Sequence, residues 1–359
     1  MENEFTVRSM RYDYGVVFEQ DFRTEIREIL ESEKCVFLID RNIWDKYGLA
    51  ELIPQESFLV TLIEAVESNK TIYGVIDVWN KWEKAGITKK HKVVVIGGGI
   101  LQDIGAFASS IYLRNIDWYF FPTTLLAQCD SCIGSKCGIN LHEFKNQLGA
   151  FYAPKRIVID THFLNSLSDQ DLYSGMGEIL KASLTSDVGF YHRFRDIVLS
   201  GRDKAELENL IRDSLMVKKE VVEADEFEKD YRRVLNYGHT FGHALEAYTK
   251  NEIPHGAAVT LGVDMANFIA WKKGFISEEE YRDVKLVASK LFRFKFPENV
   301  DMDRLFIFMR KDKKSEGEKV NFVIPKRLGE PQILPMCLDQ GLKVMLTEYF
   351  QESHEIYRN

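Results

Sequence analysis

Four residues in the second half of the chain could hold a divalent metal. His239 and His243 lie four apart in NYGHTFGHALE, which puts both on one face if that segment is helical. His255 opens IPHGAAVTLG, and Glu178 sits in GMGEILK. Three such ligands plus a vacant position is the arrangement of a catalytic zinc rather than a structural one. The glutamate of an HExxH helix is absent between the two histidines, and spacing alone does not decide between His239 and His243 as a ligand. The chain has only eight histidines, so this clustering carries weight.

A second chemistry is suggested by glycines. Gly97, Gly98 and Gly99 follow the apolar run KVVVI and precede ILQDIGAFASSIY, a strand-to-helix turn where backbone amides can approach a phosphate. GGGxxxD is not the usual GxGxxG fingerprint, so a tight turn without a ligand accounts for it equally well. Asp40, Arg41 and Asn42 end another apolar run, where a carboxylate could bind ribose hydroxyls. Glu67, Ser68, Asn69 and Lys70 precede a helical stretch, a position that capping also explains.

Cations recur beside these motifs: Lys136, Lys145, Lys181, Lys218 and Arg232. An anionic substrate would need such donors, although lysine is common on any surface. Cys129 and Cys132 have CxxC spacing, with Cys137 nearby, but no second pair exists. Small buried hydrophobes are the better reading.

The elements that must position these groups fall into two patterns. Short apolar runs (CVFLID at 35–40, FLVTLI at 58–63, KVVVIGGG at 92–99, WYFFPTT at 118–124, RIVID at 156–160) alternate with amphipathic stretches, as in a parallel sheet with helical crossovers. From about Ser166 onward, apolar positions recur every three to four residues over long segments. The expected architecture is a Rossmann-like α/β domain over residues 1–165 and a mostly α-helical domain over 166–359.

Composition bounds the partners. The chain has 359 residues, 45% hydrophobic and 28% charged, the profile of a folded protein, and a length suited to two domains. A net charge of −8 argues against a nucleic-acid partner and for a small molecule. No run of about 18 apolar residues suggests a membrane span, and MENEFTVRSMRYDYG lacks the character of a signal peptide, so a cytoplasmic location is expected. Five cysteines are poor material for a disulfide framework.

Taken together and in order, the motifs resemble those of the 3-dehydroquinate synthase family of sugar-phosphate cyclases. The resembling segments include ESNK at 67–70, GGGILQD at 97–103, YLR at 112–114, PTTLLAQCDSCIGSKCGIN at 122–140, KNQLGAF at 145–151, GMGEILK at 175–181, KKEVVEADE at 218–226, RRVLNYGHTFGHALE at 232–246, HGAAV at 255–259 and MRKDKKSEGEKVNFVIPKRLGE at 309–330. Each piece is weak, but jointly they cover nearly the whole chain.

The resemblance implies zinc, or cobalt, held by Glu178, His239 and His255. It implies NAD held by Asp40, Asn42, Glu67, Lys70, Gly98, Gly99, Asp103, Thr123, Thr124 and Lys145. His243 then becomes an active-site residue beside the substrate. Asp130, Lys136, Asn146, Lys181, Lys218, Arg232, Asn236 and one of Lys313 and Lys314 match substrate-binding positions, with Lys181, His243, Asn236, Asp130 and Lys136 as the catalytic set. Arg114 matches an arginine that reaches a neighbouring subunit's site, which implies a homodimer.

The implied reaction converts 3-deoxy-arabino-heptulosonate 7-phosphate to 3-dehydroquinate and phosphate. Two other readings stand beside it: a related cyclase of another heptulose phosphate, and a metal- and NAD-dependent polyol dehydrogenase. Cyclases of sedoheptulose phosphate replace the second histidine of GHTFGH and the asparagine before it, so the presence of His243 and Asn236 favours a substrate with a carboxylate. Three departures from the family pattern flank the site: DSCIGSKCGIN for DSSVGGKTGIN, Gln102-Asp103 for Gly-Asp, and HGAAV for HGEAV, which leaves Ala257 in place of an acidic residue.

Overall fold

A computed structural model of the chain describes residues 3–142, 144–202, 205–311, 315–316 and 319–357. Two compact units emerge: Met1–Leu167 with Val222–Phe227, and Ser168–Val221 with Glu228–Asn359.

The first unit is built on β1 (Glu4–Val7), β2 (Tyr14–Phe18), α1 (Phe22–Ser32), β3 (Lys34–Asp40), α2 (Arg41–Lys46), β4 (Leu59–Ile63), α3 (Ile72–Lys84), β5 (His91–Gly97), α4 (Gly99–Ile111), β6 (Trp118–Pro122), β7 (Lys136–Leu141), β8 (Phe144–Phe151) and β9 (Arg156–Ile159). Seven strands form one sheet in the order β1-β2-β9-β6-β5-β3-β4, and every neighbouring pair is parallel except β1 with β2. The apolar runs become these strands because a parallel sheet is covered on both faces: in β3 every residue after Lys34 is buried. Phe37, Ile39, Val94, Ile96, Phe121 and Val158 pack with Ile26 and Phe163 into a core.

The chain goes from β3 outward to β4, then returns to the other side of β3 as β5 and continues to β6. Strand order therefore reverses between β3 and β5. In open α/β sheets, ligands bind outside the carboxyl ends of the strands at such a reversal. Asp40 ends β3 and Gly97 ends β5 at that point. The antiparallel hairpin β7–β8 was not legible in the apolar pattern, because β8 (FKNQLGAF) is largely exposed.

The second unit contains α5 (Asp169–Thr185), α6 (Val188–Leu199), α7 (Leu207–Ala224, whose last residues belong to the first unit), α8 (His239–Tyr248), α9 (His255–Lys272), α10 (Glu278–Leu291), α11 (Met302–Lys311), β10 (Ser315–Glu316), β11 (Lys319–Arg327), β12 (Glu330–Cys337) and α12 (Gln340–Ile356). Strands β10, β11 and β12 make a small antiparallel sheet. Every residue of α9 from Gly256 to Ala270 is buried, and α5, α8, α10 and α12 pack around it. A helix buried on all sides has to be central in this way.

Candidate metal centre and nucleotide site

Glu178, His239 and His255 come from three helices that touch through their backbones, and each ligand candidate adjoins a glycine. A Cβ on Gly177 would stand 2.1 Å from the Gly256 carbonyl oxygen, and one on Gly256 would stand 1.8 Å from the Ser174 carbonyl oxygen. Gly238, with φ +75°, starts α8 in the left-handed region, and a Cβ there would lie 2.6 Å from the Val263 nitrogen. Close approach of α5, α8 and α9 at these glycines puts Glu178, His239 and His255 within reach of one another.

Glu178 Oε1 lies 3.2 Å from His255 Nε2 and 3.7 Å from His239 Nε2. Ring nitrogens of His239, His243 and His255 all fall within 4.8 Å of one another. The other nitrogen of each ligand candidate is already engaged. His239 Nδ1 is 3.2 Å from the Tyr237 carbonyl oxygen, and His255 Nδ1 is 2.9 Å from Glu246 Oε2. Both partners only accept, so Nδ1 carries the proton in each ring and Nε2 of the neutral ring presents a lone pair. For neutral His255, Nε2 then confronts a carboxylate oxygen, acceptor against acceptor, and a cation must lie between them. Two imidazole nitrogens and a buried carboxylate, each held by a partner behind it, fit a divalent metal of the zinc type.

The charges agree. Burial opposes protonation of His255, but hydrogen bonds to Glu178 and Glu246 override it and carry its pKa up to about 10. Burial works against the Glu178 carboxylate, yet Lys181, His239 and His255 hold it well below the usual range. His239 is pushed well below its ordinary value by burial. In the metal-free chain, His255 thus supplies the cation as a proton. A metal has to displace that proton, so affinity should rise with pH until about 10. Titrating zinc into metal-free protein at pH 8 in weak buffer with a pH indicator should release about one proton per metal from this residue. Uptake without proton release would mean that His255 is neutral in the metal-free chain, leaving its place as a ligand to be decided by the His255→Ala variant.

Lys181, one helical turn beyond Glu178, places Nζ 2.8 Å from Glu178 Oε2 and is 2% exposed. His243 is partly exposed, with its ring centroid 5.4 Å from that of His239 and 5.5 Å from that of His255. Lys218 on α7 and Arg232 in the short helix Tyr231–Asn236 are both buried. Asn236 Nδ2 donates to Glu228 Oε1 at 2.8 Å. Glu246 was not singled out in the sequence, although its signal was available: His239, His243 and Glu246, spaced four and then three, share one face of α8.

In the first unit, the nucleotide candidates gather at the strand reversal. The Asp40 carboxylate caps α2 by accepting from the Asn42 amide at 2.9 Å, and burial pushes its pKa up. Gly98 caps α4, and a Cβ there would stand 2.8 Å from Thr124 Cγ2. Thr123 is buried directly after β6, and its amide donates to the Gly97 carbonyl.

Lys70 ties several candidates together. Its Nζ lies 3.0 Å from Asp103 Oδ2, 2.9 Å from Asn146 Oδ1 and 3.4 Å from Glu67 Oε1. Burial opposes the Lys70 charge, but Asp103 and Glu67 raise its pKa nonetheless. Asp103 also accepts from the Gly138 amide, and Asn140 bridges Glu67 to the Asn146 amide. Asn140 was missed with the hairpin that carries it. Lys136 and Lys145 are exposed residues of that hairpin, and Asp130 lies on the turn Ala127–Ser131. Arg114 is exposed on a turn where Leu113, Arg114 and Asn115 all have positive φ. Lys313 and Lys314 lie outside the described residues.

The departures from the family pattern are absorbed locally. Gln102 and Ser131 bond each other, with Ser131 Oγ donating to Gln102 Oε1 at 2.6 Å. Ser135 Oγ donates to Glu226 at 3.0 Å, and Ala257 is buried near the start of α9. Cys129, Cys132 and Cys137 are buried, and each thiol points to a backbone carbonyl. Burial raises the Cys137 thiol to about 12, which makes a thiolate role untenable there.

Known proteins match throughout. The model of the 3-dehydroquinate synthase N-terminal region matches residues 60–174, and that of the C-terminal region matches residues 175–315. The 3-dehydroquinate synthase of Alkaliphilus metalliredigens (strain QYMF) is 33% identical over 311 residues, 85% of this chain and 87% of that relative. Among solved structures, a 2-epi-5-epi-valiolone synthase from Streptomyces hygroscopicus with NAD+ and Zn2+ bound superposes with a TM-score of 0.84 at 24% identity, covering 94% of this chain and 97% of its own. A 2-deoxy-scyllo-inosose synthase complexed with carbaglucose-6-phosphate, NAD+ and Co2+ gives 0.82 at 21% identity, covering 97% and 99%. At these identities the two structures speak for the fold alone, while the sequence matches extend through both units: the chain belongs to the 3-dehydroquinate synthase family.

Proposed function

We propose that the chain is a 3-dehydroquinate synthase, a phosphate-eliminating lyase that converts 3-deoxy-arabino-heptulosonate 7-phosphate to 3-dehydroquinate, with NAD and a divalent metal as cofactors. The observation that carries the site reading is the facing of two imidazole Nε2 atoms toward one buried carboxylate oxygen, with both Nδ1 atoms engaged behind. When bound, NAD would take and return a hydride while the metal polarised the hydroxyl being oxidised, so no net redox change results.

The protein's own part is electrostatic and positional. The substrate carries a carboxylate and a phosphate, and Lys181, Lys218 and Arg232 are buried cations of the kind that recognise either group. Lys136, Asn146, Asn236 and Asp130, with Lys313 or Lys314, complete the proposed substrate set. His243 stands beside the metal ligands as the group that would move a proton on the substrate side. Asp40, Asn42, Glu67, Lys70, Gly98, Gly99, Asp103, Thr123, Thr124 and Lys145 are the proposed NAD residues. Of these, Asp40 ends β3 and Asn42 follows it, and Gly98, Gly99 and Asp103 follow β5, at the kind of strand reversal where open α/β sheets bind ligands.

Arg114 is proposed to serve the neighbouring subunit of a homodimer. A cytoplasmic location is proposed with it. Among the described residues, no helix is long and apolar enough to cross a membrane.

The test is to incubate purified protein with NAD, Zn2+ or Co2+ and 3-deoxy-arabino-heptulosonate 7-phosphate, following phosphate release and product mass. Stoichiometric phosphate with dehydroquinate is expected. Net NADH accumulation would point to a dehydrogenase instead, and turnover only of another heptulose phosphate would point to a related cyclase.

A further inference from the structure

We propose that Glu246 is a positioning residue of the metal centre, a carboxylate that holds His255 in the one tautomer able to take a metal. The inference rests on the metal reading above. Glu246 Oε2 lies 2.9 Å from His255 Nδ1, and the carboxylate is only 13% exposed. The contact links two helices, since Glu246 is on α8 and His255 opens α9.

When the protonated ring gives up one of its two N–H protons, the one that stays can sit on either nitrogen. With the proton on Nδ1, drawn there by Glu246, the Nε2 lone pair faces Glu178 Oε1 across 3.2 Å and a cation fits between them. With the proton on Nε2, the ring donates directly to Glu178 across the same gap, and the metal's place is taken. Glu178, which can only accept, favours that second arrangement. The choice against it is therefore made at Nδ1. His239 makes the same choice with a weaker partner, the neutral Tyr237 carbonyl at 3.2 Å. Glu246 offers a charged acceptor at shorter range, so its removal should be felt more at His255 than loss of an ordinary hydrogen bond.

Geometry on α8 supports the role. His239, His243 and Glu246 project from one face, so the helix that carries one ligand also carries the partner of another. A shift of α8 against α9 would disturb both ligands together.

The experiment compares the full chain with its Glu246→Ala and Glu246→Gln variants, measuring zinc dissociation constants by competition with a chromophoric chelator and melting of the metal-free proteins. Glutamine keeps an acceptor oxygen at the same reach, and alanine keeps none. Glu246→Ala should bind zinc about 10–100-fold more weakly, Glu246→Gln should recover most of that loss, and the metal-free melting temperatures should not follow this order. An unchanged constant for Glu246→Ala, or equal weakening in both variants, would overturn the inference while leaving the metal reading intact. A parent chain that takes up no zinc would overturn both.

Discussion

Replacing His255 with alanine should leave the purified chain with well below one zinc per molecule and without measurable phosphate release. Three groups converge on the proposed metal position, Glu178 Oε1 and the Nε2 atoms of His239 and His255. Removing one leaves two protein ligands, fewer than a catalytic zinc site uses. Loss of an outer partner alone costs roughly 10–100-fold in metal affinity or activity, and loss of a ligand should exceed that. His243 provides an internal comparison, because its ring nitrogen lies within 4.8 Å of the same cluster. His243→Ala should keep its zinc while losing turnover. The measurement is metal content after gel filtration, beside phosphate release. Full zinc occupancy in His255→Ala, or loss of zinc in His243→Ala with retention in His255→Ala, would reverse the ligand assignment.

Gly256→Ala should be the second severe change, although alanine is the better helix former. The added Cβ would stand 1.8 Å from the Ser174 carbonyl oxygen and 2.6 Å from its carbonyl carbon. Both are backbone atoms of a buried helix, so relief requires α9 to move away from α5. Overpacking of this kind costs about 1–3 kcal/mol, occasionally more. For a unit of this size that corresponds to a fall of roughly 2–12 °C in melting temperature. The same displacement would carry His255, the preceding residue, away from Glu178, so zinc affinity should fall with stability. Gly15→Ala is the control, since a Cβ there meets nothing within 4 Å, and its effect should stay within about 0.5 kcal/mol. The measurements are thermal melts and the zinc dissociation constant for both variants. A Gly256→Ala protein that melts and binds zinc like the parent would mean that helix contact at Gly256 does not position the site.

The sequence by itself determined the inner strands of the sheet, because continuous apolar runs such as CVFLID and KVVVI leave no polar face to turn to water. It also determined the candidate chemistry, since histidine, glutamate and lysine declare themselves by type, and the order of motifs along the chain declared the family. It did not determine how the first unit ends. Residues 222–227 join that unit from far along the chain, and no local pattern announces a contact made at such separation. The exposed strand β8 lacked an apolar signature, and Asn140, on the strand that pairs with it, was invisible with it.

Only tertiary structure decided how the site is held. Spacing could put His239 and His243 on one face of a helix, but it could not say what stands behind the rings of His239 and His255. That depends on Glu246 reaching across from α8 to α9 and on the Tyr237 carbonyl, and these contacts exist because glycines let three helices meet backbone to backbone. A residue's type fixes which proton or metal it can hold. Its tautomer and charge are set by neighbours that are distant in sequence, and those neighbours appear only when the helices pack.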